Sequence, residues 1–192
     1  RPISLQFPLR KRSYKGAIVE YYFDNLLPDN DEIRRRIHNR VGSNSIHSFD
    51  LLSAIGKDCI GALQFIPEEF TLAQSTIKAC RLSKAQIAKT LRNYQTNPLG
   101  MNQDNDFRIS LAGAQEKTAF LKYQGHWCRP EGTTATTHIF KLPIGLIQNN
   151  ALDLSNSVEN EWLCHLILKE FGLDVANTEI QTFDTLKVLI VE

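Results

Sequence analysis

Apolar residues alternate at Ile3, Leu5 and Phe7, which is the period of a short strand. The apolar and aromatic stretch from Gly16 to Leu27 predicts a buried helix stopped at Pro28. Asp29 and Glu32 have the spacing of a capping box, so a second helix should open there and close at Gly42. Phe49 to Ile55 predicts a third helix ended by Gly56, and Ile60 to Ile66 a strand.

Residues 68–105 read as a connector. Within them, Ser83 and Gln86 form another capping box, opening a helix to about Tyr94 that Asn97-Pro98-Leu99-Gly100 breaks. Met101 to Asp106 is polar and expected to be a loop. From residue 106 the rhythm changes. Strands are predicted at 106–111, 117–123 and 138–142, a helix from Ser157 to Phe171 closed by Gly172, then strands at 178–183 and 186–191 around a turn at Asp184. Three strands, one helix and two strands is the element order of a protein-kinase N-lobe. The expected class is α+β: a small α/β subdomain over 1–67, the connector 68–105, and a mainly antiparallel kinase-like N-lobe over 106–192.

Composition narrows the function. The 192 residues are 42% hydrophobic and 22% charged with net charge +1, enough for a core and too balanced for a strongly basic nucleic-acid surface. On that balance the run Arg34-Arg35-Arg36 is expected to be a solvated helix face rather than a phosphate contact. Cys59, Cys80, Cys128 and Cys164 make no CxxC pair and no zinc-like spacing with histidine, so reduced, mostly buried thiols and no metal site are expected. No apolar run approaches the roughly 18 residues of a membrane helix, and Arg1-Pro2-Ile3 does not open a signal peptide. A soluble, cytoplasmic protein without membrane partners is expected. The chain starts without Met, and its last strand, Leu186 to Glu192, stops with nothing after it, so a piece of a longer protein is expected.

Three elements carry candidate chemistry. The small residues Ala112, Gly113 and Ala114, followed by Gln115, Glu116 and Lys117, lie between two predicted strands. Small residues let backbone N–H groups approach an anion, and kinase loops cover ATP phosphates in this way, although a plain hairpin turn has the same look. Lys141 lies on the short apolar strand His138 to Leu142, where a kinase places its phosphate-gripping lysine and where other proteins let a lysine snorkel to water. The helix that follows holds Glu159 and Glu161, and a kinase requires an acid there to pair with the strand lysine. Asn156 and Glu159 have capping-box spacing, which leaves Glu161 as the better partner for Lys141. Trp162, Leu166 and Phe171 are expected to help define that helix's apolar face.

Phe23-Asp24-Asn25-Leu26-Leu27-Pro28-Asp29, Phe49-Asp50-Leu51-Leu52, Asn105-Asp106-Phe107-Arg108-Ile109-Ser110, Ala112 to Lys117 and Thr136 to Gly145 together resemble the HipA-type serine/threonine kinase toxins of bacterial toxin–antitoxin modules. The resemblance covers nearly the whole chain. It implies that Ala112 to Lys117 is the phosphate loop, that Lys141 anchors ATP, and that Glu192 begins the hinge that meets adenine. It also implies that Ser110 is the serine such kinases autophosphorylate, ejecting the loop and silencing the enzyme. ATP and Mg2+ are the implied cofactors. The implied partners are a HipB-like helix-turn-helix antitoxin, operator DNA through that antitoxin, and an aminoacyl-tRNA synthetase as substrate. The family's catalytic Asp and its metal-binding Asn and Asp lie in the C-lobe and have no counterpart here, so the fragment alone is expected to be inactive. Rival readings are a non-catalytic interaction fragment, binding an antitoxin or its own C-lobe, and a pseudokinase that binds nucleotide only.

Overall fold

The computed structural model describes residues 1–29, 31–59, 63–68, 76–96, 109–110, 117–147 and 152–192, apart from the side chains of Glu32, Ile33, Arg36, Tyr94, Gln95, Thr96, Ile109, Ser110 and Ile147. In chain order the elements are α1 (Ala17–Asp24), α2 (Asp31–Val41), α3 (Ser48–Ile55), β1 (Asp58–Cys59), β2 (Ala79–Arg81), α4 (Lys84–Thr96), β3 (Ile109–Ser110), β4 (Lys117–Tyr123), β5 (His126–Pro130), β6 (His138–Lys141), β7 (Gly145–Ile147), β8 (Leu152–Leu154), α5 (Ser157–Glu170), β9 (Thr178–Phe183) and β10 (Leu186–Val191). The result is a mixed α/β fold with a mostly antiparallel sheet. No described helix is long and apolar enough to cross a membrane. Two compact units divide the chain, one within Arg1–Leu72 and Asp106–Ala114, the other within Ala73–Asn105 and Gln115–Glu192.

The first unit packs α1, α2 and α3 with a parallel ladder of β1 on β3. Leu27, Ile37, Leu51, Leu52 and Ile55 are fully buried in it. The three helices are also tied by one carboxylate. Arg34 donates from Nη1 to Asp24 Oδ1 at 2.6 Å, from Nη2 to Oδ2 at 3.1 Å and from Nε to the Pro28 carbonyl at 2.6 Å. Ser48 Oγ, at the start of α3, donates to the same Asp24 Oδ1 at 2.5 Å. Arg34 is therefore buried and structural, which corrects the expectation of a solvated arginine face; Arg35 is exposed as expected.

Other local expectations fail here for identifiable reasons. Ile3, Leu5 and Phe7 form a turn, with the Phe7 N–H donating to the Ser4 carbonyl at 3.1 Å, not a strand. Phe7 instead packs edge-on between Tyr14 and Tyr22, at centroid distances of 4.8 and 4.9 Å, while Leu5 stays in solvent. The helix expected to be buried, α1, holds no fully buried residue. The second helix starts at Asp31, beyond Asp29, and the Glu32 side chain of the expected capping box lies outside the described residues. Gly42 ends it as expected, with φ 65°. Of the strand expected at 60–66, residues 60–62 lie outside the described residues and 63–66 carry no strand, while Asp58–Cys59 just before it does.

The second unit is a six-stranded sheet in the order β2-β5-β4-β6-β10-β9, antiparallel throughout. The stretch expected to act as connector contributes to it directly. Within that stretch, α4 opens on a reciprocal capping box, the Ser83 N–H donating to Gln86 Oε1 at 2.8 Å and the Gln86 N–H to Ser83 Oγ at 3.2 Å. Ile87, Ala88 and Leu91 of α4 then join Phe120, Phe140, Phe183, Val188 and Ile190 in one core on one face of the sheet. The β4–β5 hairpin turns at Gln124 and Gly125, with φ of 49° and 77°, the two left-handed positions that a two-residue hairpin demands. Strand β4 and the β9–β10 hairpin fall where the sequence predicts them, while β5, β7 and β8 were not anticipated. Of the four free thiols, Cys59 and Cys128 are buried and Cys80 and Cys164 exposed, so burial holds for half of them.

Candidate functional site

Alternation along β6 decides where Lys141 goes. His138 and Phe140 are buried and Ile139 and Lys141 half-buried, because successive strand side chains point to opposite faces. Phe140 joins the α4 core, so Lys141 leaves on the other face, where α5 packs over β9 and β10. There Lys141 Nζ donates to Glu161 Oε1 at 2.5 Å. Both side chains are largely sheltered, at 24% and 29% exposure, so the pair is less screened than a typical surface bridge. Lys141 is flanked in register by Leu189 of β10 on one side and by Lys117 of β4 on the other. Two lysines and one acid thus share a face of the sheet. On the opposite face, burial holds the His138 imidazole below its ordinary value, and its Nδ1 lies 2.7 Å from Thr137 Oγ1.

The helix is held at a second point. Glu159 pairs with Lys187 of β10. This was not foreseen. Asn156 sits at the N-cap without a side-chain capping bond, and Glu159 is turned to the sheet. Glu161 meets Lys141 although no capping box holds Glu159 back from the sheet. The expected apolar face of α5 is also different. Val158 is its buried residue, Trp162 is half-buried, and Leu166 and Phe171 are 41% and 80% exposed.

The other expected site residues have the following places. Ala112, Gly113, Ala114, Gln115 and Glu116 lie outside the described residues. Lys117 opens β4 and Ser110 closes β3 in the first unit. Glu192 follows β10, its N–H donating to the Asn177 carbonyl at 2.9 Å and its carboxylate accepting from Asn177 Nδ2 at 3.1 Å. The structure therefore brings Lys141, Glu161 and Lys117 together. Among the described residues no cluster of three or more His, Cys, Asp or Glu side chains could hold a metal ion.

Two family models match the chain, the HipA N-terminal domain over residues 1–66 and the HipA-like C-terminal domain over residues 109–192. A protein named "Putative kinase Y4mE" from Sinorhizobium fredii is 31% identical, matching 100% of this chain and 44% of its own length. The serine/threonine-protein kinase toxin HipA of Shewanella oneidensis is 27% identical, matching 100% of this chain and 41% of its own. A solved complex of HipA, HipB and operator DNA from Shewanella oneidensis contains a chain that matches with a TM-score of 0.63 at 27% identity, over 91% of this chain and 38% of that one. The chain spans less than half the length of each of these proteins.

Proposed function

The chain belongs to the HipA family, and from that premise we propose that it is the nucleotide-gripping part of a HipA-like serine/threonine kinase toxin. The observation that carries this reading is the Lys141–Glu161 pair. In protein kinases a lysine of the third strand grips ATP phosphates, and an acid of the following helix must pair with it. Lys141 sits on the third strand counted from Lys117, and Glu161 on the next helix. Residues 112–117 supply the phosphate loop in this reading, Lys117 adds a second cation on the lysine face, and Glu192 leads into the adenine-contacting hinge. Mg2+ would neutralise charge on the ATP phosphates, and its protein ligands would be family residues with no counterpart in these 192. The chain alone is then a binder and not a phosphoryl-transfer enzyme.

Ser110 is the proposed autophosphorylation site. The proposed partner is a HipB-like antitoxin, which brings operator DNA with it; the structural neighbour in a HipA, HipB and operator complex supports that choice. An aminoacyl-tRNA synthetase is the proposed substrate of the whole kinase. Titration of the full-length protein with ATP, before and after Lys141→Ala, tests the central claim. Saturable binding lost or strongly weakened by the substitution is expected, and equal affinities would sink it.

A further inference from the structure

Helix α5 packs on β9 and β10 with Val158 buried and Trp162 half-buried, while Leu163, Leu166, Ile167 and Phe171 remain exposed. One fully buried side chain gives a narrow apolar seam, which leaves a helix room to roll about its axis. Three described polar links also bear on its rotation. The Ile144 N–H donates to Ser157 Oγ at 2.9 Å, Glu161 meets Lys141 on β6, and Glu159 meets Lys187 on β10. Residues two apart on a helix do not share a face. Glu159 and Glu161 therefore reach to either side of the helix, onto adjacent strands. Lys187 leaves β10 on the same sheet face as Leu189, which opposes Lys141 in register. A helix held by one pair can pivot about it, whereas a helix held on both sides cannot roll without breaking one of them.

We infer that Glu159 and Lys187 form a positioning pair, holding α5 in the rotation that presents Glu161 to Lys141. The pair touches no nucleotide and acts through Glu161; its effect on ATP rests on the kinase reading above. Two further observations fit. The Lys187 ammonium holds the Glu159 carboxyl below the usual carboxylate range, so the acid is ionised at neutral pH. Glu159 is 36% exposed overall, yet its second carboxylate oxygen is buried without a hydrogen-bond partner, as if held inward by the pairing of the first.

The experiment compares the full-length protein with Glu159→Gln, Lys187→Met, Lys187→Arg and the swap Glu159→Lys with Lys187→Glu. Amide hydrogen exchange across Ser157 to Cys164 reads how α5 is held, and ATP titration reads the site. Each of the first two variants should speed exchange in that segment and weaken ATP binding by up to about fivefold, the range of an exposed ion pair. The arginine variant and the swap should restore both, which mere loss of packing would not do. Unchanged exchange and affinity in the single variants, or a swap that restores neither, would overturn the inference. Exchange that changes and recovers in a protein that binds no ATP would keep the clamp and remove the nucleotide reading.

Discussion

Lys117 on β4 stands directly opposite Lys141 on β6 in an antiparallel register. Like charges at opposed positions disfavour strand pairing by some tenths of a kcal/mol. Glu161 pairs with Lys141. In the nucleotide reading proposed above, this face would meet the phosphates of ATP.

Replacement of Lys141 by alanine in the full-length protein is expected to weaken ATP binding about ten- to a hundredfold. A charge-assisted contact to phosphate contributes about 1.5–3 kcal/mol. Calorimetric titration measures this directly. A lysine with no ligand would change only stability, by about 0.5 kcal/mol, and would leave the affinity alone.

Glu161→Gln should separate catalysis from binding. The amide keeps the shape and loses the charge that aims the ammonium, so the phosphate contact survives with poorer geometry. If the full-length protein is the proposed kinase, its phosphoryl transfer is expected to fall about tenfold or more, since misplacement on the ångström scale is that costly. ATP affinity should change far less. Equal losses in both would mean that Glu161 contributes to binding alone.

Elements with local grammar were legible in the sequence. Ser83 and Gln86 cap α4 as their spacing says, Gly172 closes α5, and Asp184 takes a left-handed φ of 57° between β9 and β10. What failed was decided at a distance. Arg34 meets Asp24 ten residues back, and nothing in a run of three arginines marks which one turns inward. Glu159 meets Lys187 twenty-eight residues on, and that contact prevails over a capping box with correct spacing. The alternation of Ile3, Leu5 and Phe7 is real, but Phe7 is taken by two aromatic rings instead of a strand partner. His126 to Pro130 carries no clean alternation, so β5 becomes visible only once β4 pairs with it.

The Asp24–Arg34 pair should make the first unit acid-sensitive. The Arg34 guanidinium, with help from Ser48, holds the Asp24 carboxyl below its ordinary value of 3.8. A carboxyl whose folded value is depressed adds stability above its unfolded value and loses it as pH falls through the folded one. Asp24→Asn is thus expected to cost about 2 kcal/mol at neutral pH, where it removes the partner of a buried guanidinium. The cost stays below that of a fully buried pair because the Asp24 side chain is 39% exposed and water screens it. Denaturant melts at pH 7 and below pH 3.8 check the sign, because the gap between variant and wild type should shrink in acid.

Gly56 is required for space, not for backbone freedom, since its φ of −74° suits any residue. A Cβ there would meet the Leu52 carbonyl oxygen at 2.4 Å and the Phe65 ring at 2.6 Å. Gly56→Ala is expected to destabilise the first unit by about 2 kcal/mol, in the range of overpacked cores. Removing the ring as well, in Gly56→Ala with Phe65→Ala, relieves the ring contact and leaves the clashes with the Leu52 carbonyl and with the residue-65 Cβ, the latter at 2.9 Å. Chemical denaturation of both variants should therefore show partial rescue, and a full rescue would put the whole conflict on Phe65.

The proposed phosphorylation of Ser110 would act where β3 meets β1. Among the described residues Ser110 pairs with Cys59 and Ile109 with Asp58, in a parallel ladder. Phosphorylation would add about −1.5 to −2 charges there. Burial pushes the Cys59 thiol up to about 12, so it stays neutral, and its Sγ donates to the Gly56 carbonyl at 3.3 Å. Asp58, one position back on β1, is a buried acid. Added charge at a position paired with a neutral, buried Cys59 is expected to release β3. The segment that follows β3 is the proposed phosphate loop, so its starting point would move with it. Phosphorylated full-length protein should show faster amide exchange at Cys59 and Ser110 and weaker ATP binding than the unmodified protein, with the modification verified by mass spectrometry. Faster exchange with equal ATP affinity would leave a frayed strand and no switch. Slow exchange with lost affinity would place the effect on the nucleotide by direct repulsion, with β3 still in place.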